Sequence, residues 1–118
     1  MSPEELLNFF VVNGRQWVTD QRNLFRPNAQ PISADDKVQL EPNFAPDILE
    51  RARLTWVAEI PNPGFYTTLQ TSGLPIPLDF RQMTGITFLD TILISRSRFT
   101  YNAHWLPLLF HELVHVVQ

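Results

Sequence analysis

Hydrophobic residues recur at helical spacing at both ends of this chain and at strand spacing between them. Leu6, Phe9, Phe10, Asn13 and Trp17 follow a 3.6-residue period, and Leu7, Val11 and Val18 widen the stripe. Ser2, Pro3 and Glu5 stand in the order of an N-cap, a first-turn proline and a capping-box acid. The pattern predicts a core-packing helix from Pro3 to Asn23, with Gly14 as a weak point. Residues 26–46 carry four prolines among polar residues and read as a long surface connection with a short turn at 33–36. Adjacent Asp35 and Asp36 lack further oxygen ligands at regular spacing, so they read as a helix-start or turn device, not a cation site.

A short helix over 47–52 then leads into a strand over 53–60, with Leu54, Trp56, Ala58 and Ile60 on one face. Pro61-Asn62-Pro63-Gly64 ends it. Residues 65–77 are turn-rich, with a tight turn at Ser72-Gly73, and 79–83 suit another short helix. Residues 85–95 give the strongest strand pattern. Ile86, Phe88, Ile92 and Ile94 face one way, Asp90 interrupts them, and Thr87, Leu89, Thr91, Leu93 and Ser95 take the other face. After a polar loop at 95–98, Pro107 is comfortable only in a first turn, so the last helix begins near His104 to Leu106.

Helices and strands in this order predict an α+β fold: a small mixed sheet packed on an N-terminal helix and a buried C-terminal helix. At 118 residues the chain is a single domain spanning 1–118. A net charge of −3 argues against partners held by anionic charge, so neither nucleic acid nor membrane is expected. There is no cysteine, which excludes disulfides and thiolate zinc sites. The acidic start is not a signal peptide and no apolar run reaches a membrane span, so the expected location is cytoplasmic.

Candidate chemistry lies in the last helix, which contains His111-Glu112-Leu113-Val114-His115. Residues four apart share one face of a helix, so His111 and His115 can ligate one metal ion. Glu112, about 100° round from His111, is aimed to act on water as a general base instead. Gln118, His104, His115 and Glu112 fall with His111 inside an arc of roughly 120°. Leucine, valine and phenylalanine fill most of the remaining circumference, which predicts a buried helix whose polar edge lines a cleft. His104 stands about 10 Å from His111 along the axis and cannot share the metal; it reads as a helix-end or cleft-rim residue. The plain alternative is a core helix with histidines bonded to backbone. A trio at fixed spacing favours metal, and zinc suits two imidazoles with a carboxylate base.

The segment resembles the active-site helix of zincin metallopeptidases, whose extended pattern wants uncharged residues around H-E-x-x-H, as Phe110, Leu113, Val114, Val116 and Val117 are. More narrowly, HELVHVVQ preceded by the strand-like residues 85–95 is similar to bacterial zincin-like domains with an H-E-L-x-H-V-V-Q signature. The resemblance implies a zincin-like N-terminal subdomain and zinc-dependent hydrolysis of a peptide or protein substrate. His111 and His115 would hold zinc, with Glu112 as base. It makes residues 86–95 the edge that pairs with substrate, with Thr87, Leu89 and Thr91 along it. Asp90 stands where an apolar residue is expected; it is read either as a second-shell carboxylate for a ligand histidine or as a bulge or local backbone acceptor.

A catalytic zinc normally takes three protein ligands, and the resemblance implies a third, Glu or His, downstream. The final helix stops without a cap at Gln118, so the chain is expected to be a truncated domain. A non-catalytic zincin-like scaffold or binding module of a larger assembly is the competing expectation, since a fold does not guarantee chemistry.

Overall fold

The structure is a computed structural model that describes residues 2–76 and 78–118. Helix α1 (Pro3–Phe25) is capped by Ser2, whose hydroxyl accepts the Glu5 N–H at 3.1 Å. Strand β1 (Gln30–Pro31) precedes helices α2 (Ala34–Leu40) and α3 (Pro46–Arg51). Strand β2 (Arg53–Val57), helix α4 (Tyr66–Thr71), strands β3 (Gly85–Phe88) and β4 (Thr91–Ser95), and helix α5 (Trp105–Val117) complete the chain. The fold is α+β, with one mixed sheet in the order β1-β2-β4-β3. β2 and β4 are parallel; β1 and β3 run antiparallel to their neighbours.

Each side of the sheet carries its own core. Leu54, Trp56, Ile92 and Ile94 face α5 and pack with Trp105, Leu109, Leu113 and Val116, and with Leu40 of α2 and Leu49 of α3. Phe88 and Leu93 point the other way, toward Trp17, Val18 and Phe25 of α1. Trp17 meets Phe88 edge-on at 5.0 Å between ring centroids. The sheet is therefore a middle layer between α1 and α5.

Three expectations change. Residues 85–95 are a hairpin, not one strand: Leu89 and Asp90 form a two-residue turn in which Leu89 has φ 60°. Reversing the chain there flips the side-chain parity, so Ile86 and Phe88 lie on the face opposite Ile92 and Ile94. α1 extends to Phe25, and none of its residues is fully buried. The strands it crosses are about 15 Å long and the helix about 35 Å, so its N-terminal half overhangs the sheet. α5 is buried along one flank only. Phe110, Val114 and Val117 are exposed, because a helix lying on a sheet turns just one side to it.

The proline-rich stretch is more ordered than expected. Where a short turn was expected, Ser33 caps α2 through the Asp36 N–H, and Asp35 and Asp36 occupy its acidic first turn, the first of the two roles, helix start or turn, open to them from the sequence. The Asp36 carboxylate then accepts the Trp105 indole N–H at 3.0 Å, joining α2 to the start of α5. Residues 66–71, read as turn-rich, form α4, and the tight turn read at Ser72-Gly73 closes it: Gly73 has φ +77°, and the Leu74 N–H reaches the Leu69 carbonyl at 2.9 Å in a Schellman closure. No helix among the described residues is long and apolar enough to cross a membrane.

Leu89 is a non-glycine residue in the left-handed region, and its exposed side chain contributes little core packing. Leu89→Gly is expected to raise the urea midpoint by about 1 kcal/mol of stability, and Leu89→Val to lower it. Equal midpoints for all three proteins would show that the turn carries no strain.

Candidate functional site

The cleft is framed by β3 on one side and the polar flank of α5 on the other. It has a volume of about 550 Å³, and Gly85, Thr87, His111, Glu112 and His115 are among its walls. α5 begins at Trp105 with His104 at its N-cap position, so the two histidines fall in its last turns. His104 is exposed at the helix start, as expected from the position of Pro107.

His111 and His115 are both exposed, with ring centroids 4.9 Å apart. Their Nε2 atoms face each other at 3.4 Å. Nδ1 of His115 lies 3.1 Å from Oε1 of Gln118. An amide oxygen only accepts, so this contact suits the neutral tautomer with its proton on Nδ1 and the Nε2 lone pair turned toward His111. Two nitrogen ligands 2.0–2.1 Å from a tetrahedral zinc lie about 3.3–3.4 Å apart. The pair has that spacing. Among the described residues, however, no group of three His, Cys, Asp or Glu side chains converges as a metal site. The donors present fit two corners of a zinc site and leave the set incomplete.

Glu112 is buried, at 4% exposure, beneath β3. Its Oε1 lies 2.8 Å from the Thr87 hydroxyl, which also approaches the Glu112 carbonyl at 3.1 Å. Thr87 thus holds the helix backbone and the carboxylate together. Gly85 stands on the same face two residues earlier. A Cβ there would lie 3.3 Å from Glu112 Oε2 and 3.2 Å from Ile94 Cδ1. Glycine lets the strand pass close above the carboxylate.

β3 is the outer strand of the sheet. The Ser95 N–H bonds to the Thr84 carbonyl at 2.9 Å, and antiparallel pairs alternate between bonded and unbonded. From the β3–β4 register, Ile86 and Phe88 use their backbone groups on β4, while Gly85 and Thr87 turn theirs to the free edge. Of the three residues expected along a substrate edge, the structure brings only Thr87 to the cleft. Leu89 is in the turn. Thr91 is fully buried in β4, inside the sheet, so the expectation of a continuous edge over 86–95 is corrected to β3 alone.

Asp90 does not reach either histidine. Its carboxylate takes the Arg22 guanidinium in a two-point pair at 3.0 and 3.1 Å, with Arg26 at 3.3 Å and the Thr91 hydroxyl at 3.1 Å. The expectation that Asp90 orients a ligand histidine is therefore replaced by a link between the hairpin turn and α1. Its sequence signal, an acid interrupting apolar positions, came from the turn. The hydrogen-bond partner of His115 is Gln118, three residues on and one turn along the same face; that spacing was the available clue. The Thr87–Glu112 bond joins residues 25 apart, and nothing local encodes it.

Comparison with protein-family models, curated proteins and solved structures finds no match for this chain.

Burial favours the protonated form of Asp90, but Arg22 and Arg26 outweigh it and hold the carboxyl below its ordinary value. Asp90→Asn should cost roughly 1–3 kcal/mol at pH 7 by urea unfolding. Because the folded-state pKa is depressed, this contribution is fully present above about pH 4 and disappears as pH falls through the lowered value. A stability difference that persists unchanged at pH 2 would refute the ion-pair origin. Thr87→Val should cost about 1–3 kcal/mol by leaving a buried carboxylate without its donor, while Thr87→Ser should largely retain wild-type stability.

Proposed function

We propose that this chain carries the metal-binding helix, general base and substrate-facing strand of a zincin-like, zinc-dependent hydrolase acting on peptide bonds. The observation that supports it most is the 3.4 Å separation of the two Nε2 atoms, the distance expected of adjacent nitrogen ligands on tetrahedral zinc. His111 and His115 would hold the ion, with a third protein ligand from a segment other than those described. Zinc bound there supplies Lewis acidity toward water and a carbonyl oxygen.

The chain's own residues divide the remaining work. Glu112 takes a proton from water in the cleft and returns it to the leaving amine, the general acid–base role of a fixed carboxylate. Thr87 restrains that carboxylate against one rotamer, so its orientation costs no reordering during reaction. The free N–H and C=O groups of Gly85 and Thr87 accept an extended peptide as an added strand beside the histidines. Gln118 keeps the His115 proton on Nδ1 and its Nε2 open.

A second reading is a non-catalytic zincin-like scaffold or binding module. It is favoured by the absence, among the described residues, of any three-ligand group. The two readings share the fold and differ in chemistry.

Calorimetric titration with zinc is expected to give one ion per chain, bound more weakly than at a three-ligand site and more weakly still on acidification, since protons compete for imidazole. His111→Ala and His115→Ala should each abolish binding, and Glu112→Gln should keep it. Binding that survives the loss of both histidines would overturn the metal assignment. In an assay with a quenched fluorescent peptide, Glu112→Gln should lower zinc-dependent turnover by about 10²-fold or more; unchanged turnover in that variant removes Glu112 from the mechanism, and zinc binding without turnover in the wild-type chain selects the scaffold.

A further inference from the structure

Four of the chain's nine basic residues gather at the end of the sheet where β2 begins and the β3–β4 hairpin turns. Arg22, Arg26 and Arg53, with Asn23, Pro27 and Ala29, line a polar cleft of about 450 Å³ that is separate from the histidine cleft. Arg51 lies just beyond, its carbonyl accepting the Arg26 guanidinium at 3.1 Å. Asp90 is the carboxylate set among them, and Arg22 already takes it in a two-point pair. Glu50, the next acid, is held by Lys37 at 2.8 Å and also feels the charge of Arg53. Three arginines therefore line the cleft, and Asp90 pairs with two of them, in a chain whose net charge is −3.

Asp90 offsets one of these positive charges, and the bonds to backbone carbonyls leave the rest uncancelled. Arg53 donates through one terminal nitrogen to the Glu50 and Ala52 carbonyls. Arg26 directs one terminal nitrogen to the Arg51 carbonyl and Asp90. Carbonyls satisfy donors without neutralising cations, and each guanidinium carries five N–H groups in a rigid fork. Arg26 and Arg53 border the cleft beside Asn23. Planar forks around a polar hollow match the oxygen geometry of phosphate and carboxylate ligands.

We infer that this cleft is a binding site for a small, multiply charged oxyanion, held by Arg26 and Arg53 with Arg22 and Asn23 at its rim. The site is independent of the proposed metal chemistry. Both a phosphate group and a polycarboxylate carry the required oxygens, and the experiment separates them.

The test is an NMR titration of the ¹⁵N-labelled chain with inorganic phosphate, and separately with citrate, at constant ionic strength set by sodium chloride. Saturable shifts are expected at the backbone amides of Arg22, Asn23, Arg26, Ala29 and Arg53, whereas chloride alone leaves them unmoved. Response to phosphate but not citrate identifies a phosphate site, and the reverse a carboxylate site; both support the inference. Arg53→Gln should weaken binding about tenfold, the effect of losing one charge-assisted contact. Asn23→Asp guards against misfolding: Asn23 is exposed and accepts from Arg22 through its Oδ1 at 3.1 Å, a bond aspartate can keep. Its new charge should weaken anion binding at least tenfold with an unchanged spectrum elsewhere. Shifts that track ionic strength alone, or wild-type affinity in a folded Asn23→Asp protein, would overturn the site.

Discussion

A two-residue reversal at Leu89-Asp90 decides how the rest of this molecule is arranged. By turning the chain back on itself it makes β3 the outer strand and β4 an inner one. It sends Phe88 toward α1 and Ile92 toward α5, so the two faces of the sheet each acquire a core. The turn is secured from outside itself. Asp90 grips Arg22 and Arg26, which fixes the C-terminal part of α1 against the hairpin and allows its N-terminal half to overhang. A strained, non-glycine turn persists because neighbouring contacts over-determine it.

The candidate site depends on that reversal. Glu112 is a carboxylate taken almost out of water, and such a group is stable only if a donor replaces the lost hydration. The donor is Thr87, on a strand that reaches the helix because the hairpin folds it there. Gly85 keeps the strand low enough for the bond to form. The histidines remain at the open side of the helix, where solvent or a ligand can reach them. A buried base beside two exposed imidazoles, under a free strand edge, is the arrangement on which the proposed hydrolase rests. The cleft lined by Arg22, Arg26 and Arg53 is separate from the histidine cleft, and the hairpin turn places Asp90 among those arginines.

Much of the architecture was legible along the chain. Ser2 announces a helix start through its hydroxyl, Ser72-Gly73 announces a tight turn, and Pro107 fixes where the last helix begins. These signals are readable because each involves neighbours within four residues. The hairpin was not legible, because a leucine and an aspartate replace the glycine or asparagine that normally mark a two-residue turn, and because the apolar alternation resumes in the same parity after its single interruption at Asp90. The exposed flanks of α1 and α5 were unreadable for another reason. An apolar stripe declares what a helix can bury, while the length and sidedness of the sheet decide how much it does bury.

The sequence by itself determined the first and last helices, the Ser2 cap, the α+β class, and the placement of His111, Glu112 and His115 on one helix, since all of these follow from local spacing and backbone preference. Tertiary structure alone decided that Glu112 is bonded to Thr87, that Asp90 belongs to arginines and not to a histidine, and that four arginines share one end of the sheet. Each of those facts joins residues far apart in the chain. No periodicity can encode such a meeting, because it is set by how a buried charge finds its partner once the layers have packed.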